Sequence, residues 1–159
     1  MTESGKTTLA KKVASSLKSA GYPVLVLDPL HDVWDATYQT DDAQEFLKVF
    51  WQSKSCHVFV DESGDSIGRY NDLMNQTATK GRHWGHSMYY ITQRGAQISR
   101  TIRDQCSHLF LFATARPDAK IHALEWNKAD LENVATFNAG EYYHATRFGV
   151  LERGNVFND

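Results

Sequence analysis

Two short apolar runs constrain this sequence more than any other feature. Val24-Leu25-Val26-Leu27 and His57-Val58-Phe59-Val60 are nearly continuous in large apolar side chains, and each is followed at once by an aspartate, Asp28 or Asp61. A strand with one wet face alternates apolar and polar residues, whereas a run apolar throughout fits a strand covered on both faces. Covering both faces takes helices on either side, and the sequence supplies them. Residues 6–20 carry Leu9, Val13 and Leu17 at four-residue intervals and stop at Gly21; residues 41–52 carry Phe46, Leu47, Val49 and Phe50. Further along, 69–79 reads as a helix, 80–86 as a glycine-punctuated connection, and 87–91 and 108–112 as strands joined by a basic helical or irregular segment. Pro117 opens a helix to about residue 126, 129–134 is a short helix, and 141–148 with 150–157 forms a hairpin. This alternation predicts an α/β fold with a mainly parallel central sheet and helices on both faces. At 159 residues the chain is expected to be a single domain, 1–159, with its C-terminal hairpin near 141–157.

Thr2-Glu3-Ser4-Gly5-Lys6-Thr7-Thr8 opens the first helix. In a phosphate-binding loop, successive backbone N–H groups and a helix N-terminus surround the phosphate. The lysine neutralises β- and γ-phosphate oxygens and the following hydroxyl ligates Mg²⁺. Thr2, Glu3, Ser4, Gly5, Lys6, Thr7 and Thr8 are therefore the candidate nucleotide-binding residues. Gly5-Lys6-Thr7 supplies the end of the pattern GxxxxGK[ST], whose first glycine would fall one position before Met1. The spacing predicts a first strand upstream of the given chain. The competing reading is a chance Gly-Lys-Thr at a helix start.

A phosphate loop alone does not say what is done with the phosphate, since small-molecule kinases also open with Ser-Gly-Lys-Thr-Thr. The run 57–60 separates the classes. It ends in Asp61, suited to hold the water shell of Mg²⁺, followed by Glu62, placed to polarise a water for attack on the γ-phosphate. A kinase has no use for such a base, because water competes with its acceptor. The next strand, Tyr89-Tyr90-Ile91, leads through Thr92 to Gln93, whose amide can donate to the γ-phosphate and accept from the attacking water.

Taken together, Thr2 to Leu9, Val24 to Pro29, Val58 to Glu62 and Tyr90 to Arg94 resemble the FtsK–HerA superfamily of DNA-pumping ATPases, especially the small viral genome-packaging ATPases. The resemblance spans roughly residues 1–115. It implies a three-layer, RecA/FtsK-like P-loop NTPase fold, hydrolysis of ATP with Mg²⁺ at the subunit interfaces of a homo-oligomeric ring (usually a hexamer), and DNA in the central channel. By the same resemblance Lys6 and Thr7 take nucleotide roles, Thr7 and Asp61 serve the metal, and Glu62 and Gln93 act in catalysis. A viral role would add a capsid or portal vertex as partner. A conjugative or HerA-like cellular pump and a small-molecule kinase are the alternatives.

Ring ATPases commonly use an arginine from the neighbouring subunit against charge on the γ-phosphate. Arg82 is the first candidate for this catalytic role, with Arg69, Arg94 and Arg116 as rivals. The net charge is −2, yet no Asp or Glu occurs from Leu73 to Arg103, where Lys80, Arg82, Arg94, Arg100 and Arg103 fall. Such a segment fits phosphate contacts that do not read sequence. Trp84 is a candidate for base stacking, set against the commoner core or interface role. Cys56 and Cys106 have no metal-site spacing, and His83 with His86 lacks a third ligand. No apolar run approaches a membrane span and no secretory leader is seen, so the expected location is the cytoplasm, of a host if the protein is viral.

Overall fold

The computed structural model describes residues 5–61 and 71–158. They fall into two compact units, one of residues 10–61, 71–93 and 97–105, the other of residues 5–9, 94–96 and 106–158.

In the first unit the elements are α1 (Lys6–Ser19, whose first turn belongs to the second unit), β1 (Val24–Leu27), β2 (Tyr38–Thr40), α2 (Ala43–Gln52), β3 (His57–Val60), α3 (Asn71–Lys80), β4 (Ser87–Tyr90) and α4 (Arg100–Gln105). The strands form a four-stranded, wholly parallel sheet in the order β2-β1-β3-β4. Its two faces explain the continuous apolar runs. Leu25, Leu27, Val58 and Val60 face Phe46, Leu47 and Phe50 of α2, Met74 of α3 and Ile102 of α4. Val24, Val26 and Phe59 face the other way, onto Ala10 and Ala14 of α1 and the indole of Trp34. All four residues of β1 are buried, as are Val58, Phe59 and Val60. Burial of each such side chain is worth about 1.5–3 kcal/mol, so the sheet's two faces carry much of this unit's stability. Helix α2 begins where Asp42 caps it, accepting from the N–H groups of Gln44 and Glu45.

At the strands' N-terminal ends, the connection at 80–86 is ordered rather than loose. Residues Gly81–Trp84 form a 3₁₀ turn closed by Gly85 at φ 76°. His86 is buried there, accepting from the Cys56 N–H at Nδ1 and approaching the Phe50 carbonyl at 3.0 Å with Nε2. Those two contacts select the tautomer with its proton on Nε2.

The second unit contains β5 (His108–Phe112), α5 (Arg116–Glu125), a 3₁₀ segment (Ala129–Thr136), β6 (Glu141–Thr146) and β7 (Leu151–Asn155). The strands pair antiparallel in the order β5-β6-β7. Leu111 and Ala145 pack on Ala119, Ala123 and Trp126 of α5 and on Leu131 and Val134. Arg147 lies over Trp126, 4.1 Å from the ring centroid, and donates to the carbonyls of Cys106 and Glu125. The sequence reading placed most of these elements within one or two residues. It missed β2; the mainly parallel central sheet it expected is β2-β1-β3-β4, and the hairpin it expected pairs with β5 in a second, antiparallel sheet.

Candidate nucleotide site

In a parallel α/β sheet, ligands gather beyond the C-terminal ends of the strands. Register puts the predicted polar residues there. Leu27 is level with Val60, and Val60 with Tyr90. The next residues continue the ladder, with the Asp61 N–H donating to the Leu27 carbonyl and the Ile91 N–H to that of Val60. Asp28, Asp61 and the segment leading to Gln93 therefore stand side by side on one edge. Asp61 is buried, at 2% exposure, while Gln93 is exposed.

Asp28 has a role that sequence reasoning missed. Its carboxylate accepts from the N–H groups of Leu30 (2.9 Å) and Asp32 (3.1 Å) and from the Trp34 indole N–H (2.9 Å). It thereby organises the loop after β1 and draws Trp34 onto the sheet, where the ring meets Phe59. Lys11–Asp32 and Lys18–Asp35 ion pairs tie the same loop to α1. Hydrogen bonds from Lys18 and then Ser15 hold the Asp35 carboxyl below its usual range. The signal lay in the sequence, as an aspartate at a strand end two residues ahead of its turn. A polar cleft lined by Asp28, His31, Gln39, Thr40 and Asp41 opens on this edge.

Gly5, Lys6 and Thr7 lie in the second unit. Gly5 has φ 102°, and a Cβ on it would stand 2.7 Å from Val156 Cγ1 and 3.3 Å from Gly140 Cα. Only glycine fits this backbone and this gap. Helix α1 starts directly from it, with the Leu9 N–H donating to the Gly5 carbonyl. The first turn of α1 carries no acidic residue, unlike those of α2, α3 and α5, so its helix-end N–H groups are not offset by a carboxylate on that turn. Lys6, Thr7 and Thr8 are half-buried.

Thr2, Glu3, Ser4, Glu62 and Arg69 lie outside the described residues. Arg82 is exposed in the 3₁₀ turn before β4, at the N-terminal edge of the sheet, and donates to Gln105. Asp61 and Gln93 of the same chain are at the opposite edge. Arg94 pairs with Asp118, and Arg100 pairs with Asp104. Trp84 is held in an aromatic cluster, edge-on to Trp51 at 5.0 Å and donating to the Trp51 carbonyl. Among the described residues, no group of three or more His, Cys, Asp or Glu is arranged to hold a metal, and no helix is long and apolar enough to cross a membrane.

A parallel sheet with helices on both faces, acidic residues along its C-terminal edge and a glycine-started helix define the α/β fold of the P-loop NTPases. Solved structures share it. The genome packaging NTPase B204 of Sulfolobus turreted icosahedral virus 2, in complex with AMPPCP, matches with a TM-score of 0.77 at 17% identity, over 96% of this chain and 91% of that one. B204, the DNA-packaging ATPase from Sulfolobus Turreted Icosahedral Virus, matches with 0.75 at 15%, over 95% and 91%. The cytoplasmic domain of the Type VII secretion ATPase EccC of Thermomonospora curvata matches with 0.69 at 12%, over 97% of this chain and 24% of that one. No protein-family model and no curated protein matches the sequence. At these identities the likeness establishes the fold, which is the one the FtsK–HerA resemblance implied.

Proposed function

We propose that this chain is the ATP-hydrolysing subunit of a DNA-translocating motor, and that the motor packages a viral genome. The observation that carries the reading is the likeness to B204 over nearly the whole of both chains. The order of polar residues supports it: Gly5-Lys6-Thr7 at the start of α1, Asp61 after β3, and Gln93 after β4. In this reading Lys6 neutralises phosphate oxygens and Glu62 takes a proton from the attacking water. Gln93 donates its amide N–H to the γ-phosphate while its oxygen accepts from that water. Thr7 and Asp61 offer the oxygen donors that Mg²⁺ prefers, and the ion, when bound, neutralises charge on the β- and γ-phosphates. A homo-oligomeric ring, with six subunits as the expected number, encloses DNA, Arg82 reaches into the neighbouring subunit, and a capsid or portal vertex holds the ring.

The test is phosphate release from ATP and Mg²⁺, with and without double-stranded DNA, for the wild type and Glu62→Gln. DNA-stimulated release, lost in Glu62→Gln while nucleotide binding persists, is expected. Phosphate transfer to a small acceptor would replace the reading with a kinase. The EccC likeness favours one second reading, a secretion motor, and hydrolysis indifferent to DNA would point there.

A further inference from the structure

Gly5, from which α1 starts, rests on one edge of the antiparallel sheet, within the second unit. That edge is made by the last residues of β5 and β7 and the first of β6, since Phe112 is level with Tyr142 and Asn155 with Glu141. The atoms nearest to a Cβ on Gly5 would be Val156 Cγ1, Phe112 Cε1 and Gly140 Cα, all from this edge. The chain leaving β7 is fixed there in a turn. The Val156 N–H donates to the Gly140 carbonyl, and the Phe157 N–H donates to Asn155 Oδ1 at 3.0 Å. Gly140 has φ 90°, and a Cβ on it would stand 2.3 Å from Phe157 Cδ2, so the glycine gives that ring its seat. Phe112 spends its ring on Tyr142, 5.2 Å away between centroids. Among the described residues no ring contact involves Phe157, and it is 55% exposed.

We propose that Phe157 is the surface on which the base of the bound nucleotide stacks. This rests on the phosphate-binding role given to Gly5, Lys6 and Thr7 above. One ribose separates a base from its phosphates, so groups on the edge against Gly5 are the ones within its reach. Every base presents a π-face, and an aromatic ring open to solvent on a fixed backbone can receive it. The turn is already ordered by its own hydrogen bonds, so little freedom is lost when the base arrives. Stacking reads the ring and not its edge, so adenine and guanine are held alike.

Isothermal titration with Mg²⁺ compares ATP, GTP and inorganic tripolyphosphate, which carries phosphates without a base, on wild type, Phe157→Ala and Phe157→Trp. Expected for Phe157→Ala is ATP and GTP binding weakened about tenfold or more, with tripolyphosphate binding within about twofold of wild type. Phe157→Trp keeps ATP binding, and its added indole emission is quenched by ATP and not by tripolyphosphate. Equal losses for ATP and tripolyphosphate in Phe157→Ala overturn the stacking role, as does a loss for one nucleotide without the other. A wild type that binds tripolyphosphate, with ATP affinity unchanged in Phe157→Ala, overturns the role of Phe157 and leaves the phosphate loop standing. A wild type that binds neither ligand overturns the phosphate-loop reading itself, and the stacking role with it.

Discussion

Replacing Asp28 by asparagine tests whether this carboxylate builds the loop or takes part in chemistry. The change keeps the shape but turns one oxygen into an NH₂ group. Oδ2 accepts from two donors, the Asp32 N–H and the Trp34 indole, while Oδ1 accepts from the Leu30 N–H alone. The less damaging orientation therefore puts the NH₂ at the Oδ1 position, facing the Leu30 N–H. One donor is stranded beside a side chain that is 1% exposed, at about 1–3 kcal/mol. The two bonds left on the neutral oxygen lose their charge assistance, roughly 1 kcal/mol each. The sum is about 3–5 kcal/mol, a large share of a typical domain's stability of about 5–15 kcal/mol. For a chain of this size it lowers Tm by about 6–20 °C. Thermal and urea unfolding followed by circular dichroism measure the loss, and ATP turnover is then assayed at a temperature where the variant is folded. The folded variant should retain most of its turnover. An Asp28→Asn protein with wild-type Tm and no turnover would refute the reasoning, because the carboxylate would then be acting on the reacting groups.

Two further outcomes follow from the geometry. Gly5→Ala places a methyl group 2.7 Å from Val156 Cγ1 on a backbone at φ 102°. Strain of about 1–3 kcal/mol and overpacking of about 1–3 kcal/mol should lower Tm and weaken nucleotide binding together, whereas a wild-type Tm would show that the backbone does not require glycine there. His57, whose imidazole lies 3.0 Å from the Tyr89 hydroxyl, is pushed below its ordinary range near 6.5 by burial. The unfolded chain then binds more protons, so this residue's contribution is complete above about pH 6.5 and is lost as pH falls toward the folded-state value. Urea midpoints between pH 7.5 and 5 should fall more steeply for the wild type than for His57→Gln, and equal slopes would remove His57 from the account.

What could be read from the sequence was local or periodic. The runs at 24–27 and 57–60 announced strands covered on both faces, and Gly21 and Pro117 marked helix ends by their own chemistry. The missed elements owe their form to distant partners. Tyr38-Gln39-Thr40 has no apolar pattern of its own and becomes β2 because Leu25, Val26 and Leu27 offer it a parallel edge. The partner of Trp84 was equally out of reach, since Trp51, more than thirty residues earlier, receives its N–H. Arg94 likewise read as one charge in a basic segment, while Asp118 arrives from α5 to meet it. The strand-end positions of Asp61 and Gln93 were legible because each follows closely on a strand that the sequence announces. The loop-building work of Asp28 was not, because it depends on an indole six residues away swinging back over the sheet.

The parallel register has a consequence for how such a chain can change over time. Leu27, Val60 and Tyr90 end their strands in one row, and the side chains before them alternate between two apolar layers. Deleting one residue between Cys56 and Val60 would shift every following side chain of the strand to the opposite layer and draw Asp61 into the place of Val60, in the packed interior. Inserting one would do the reverse. Lengthening and shortening are thus tolerable in the connections and forbidden inside the strands, so variants of this chain should differ in loop length while their strand lengths stay fixed.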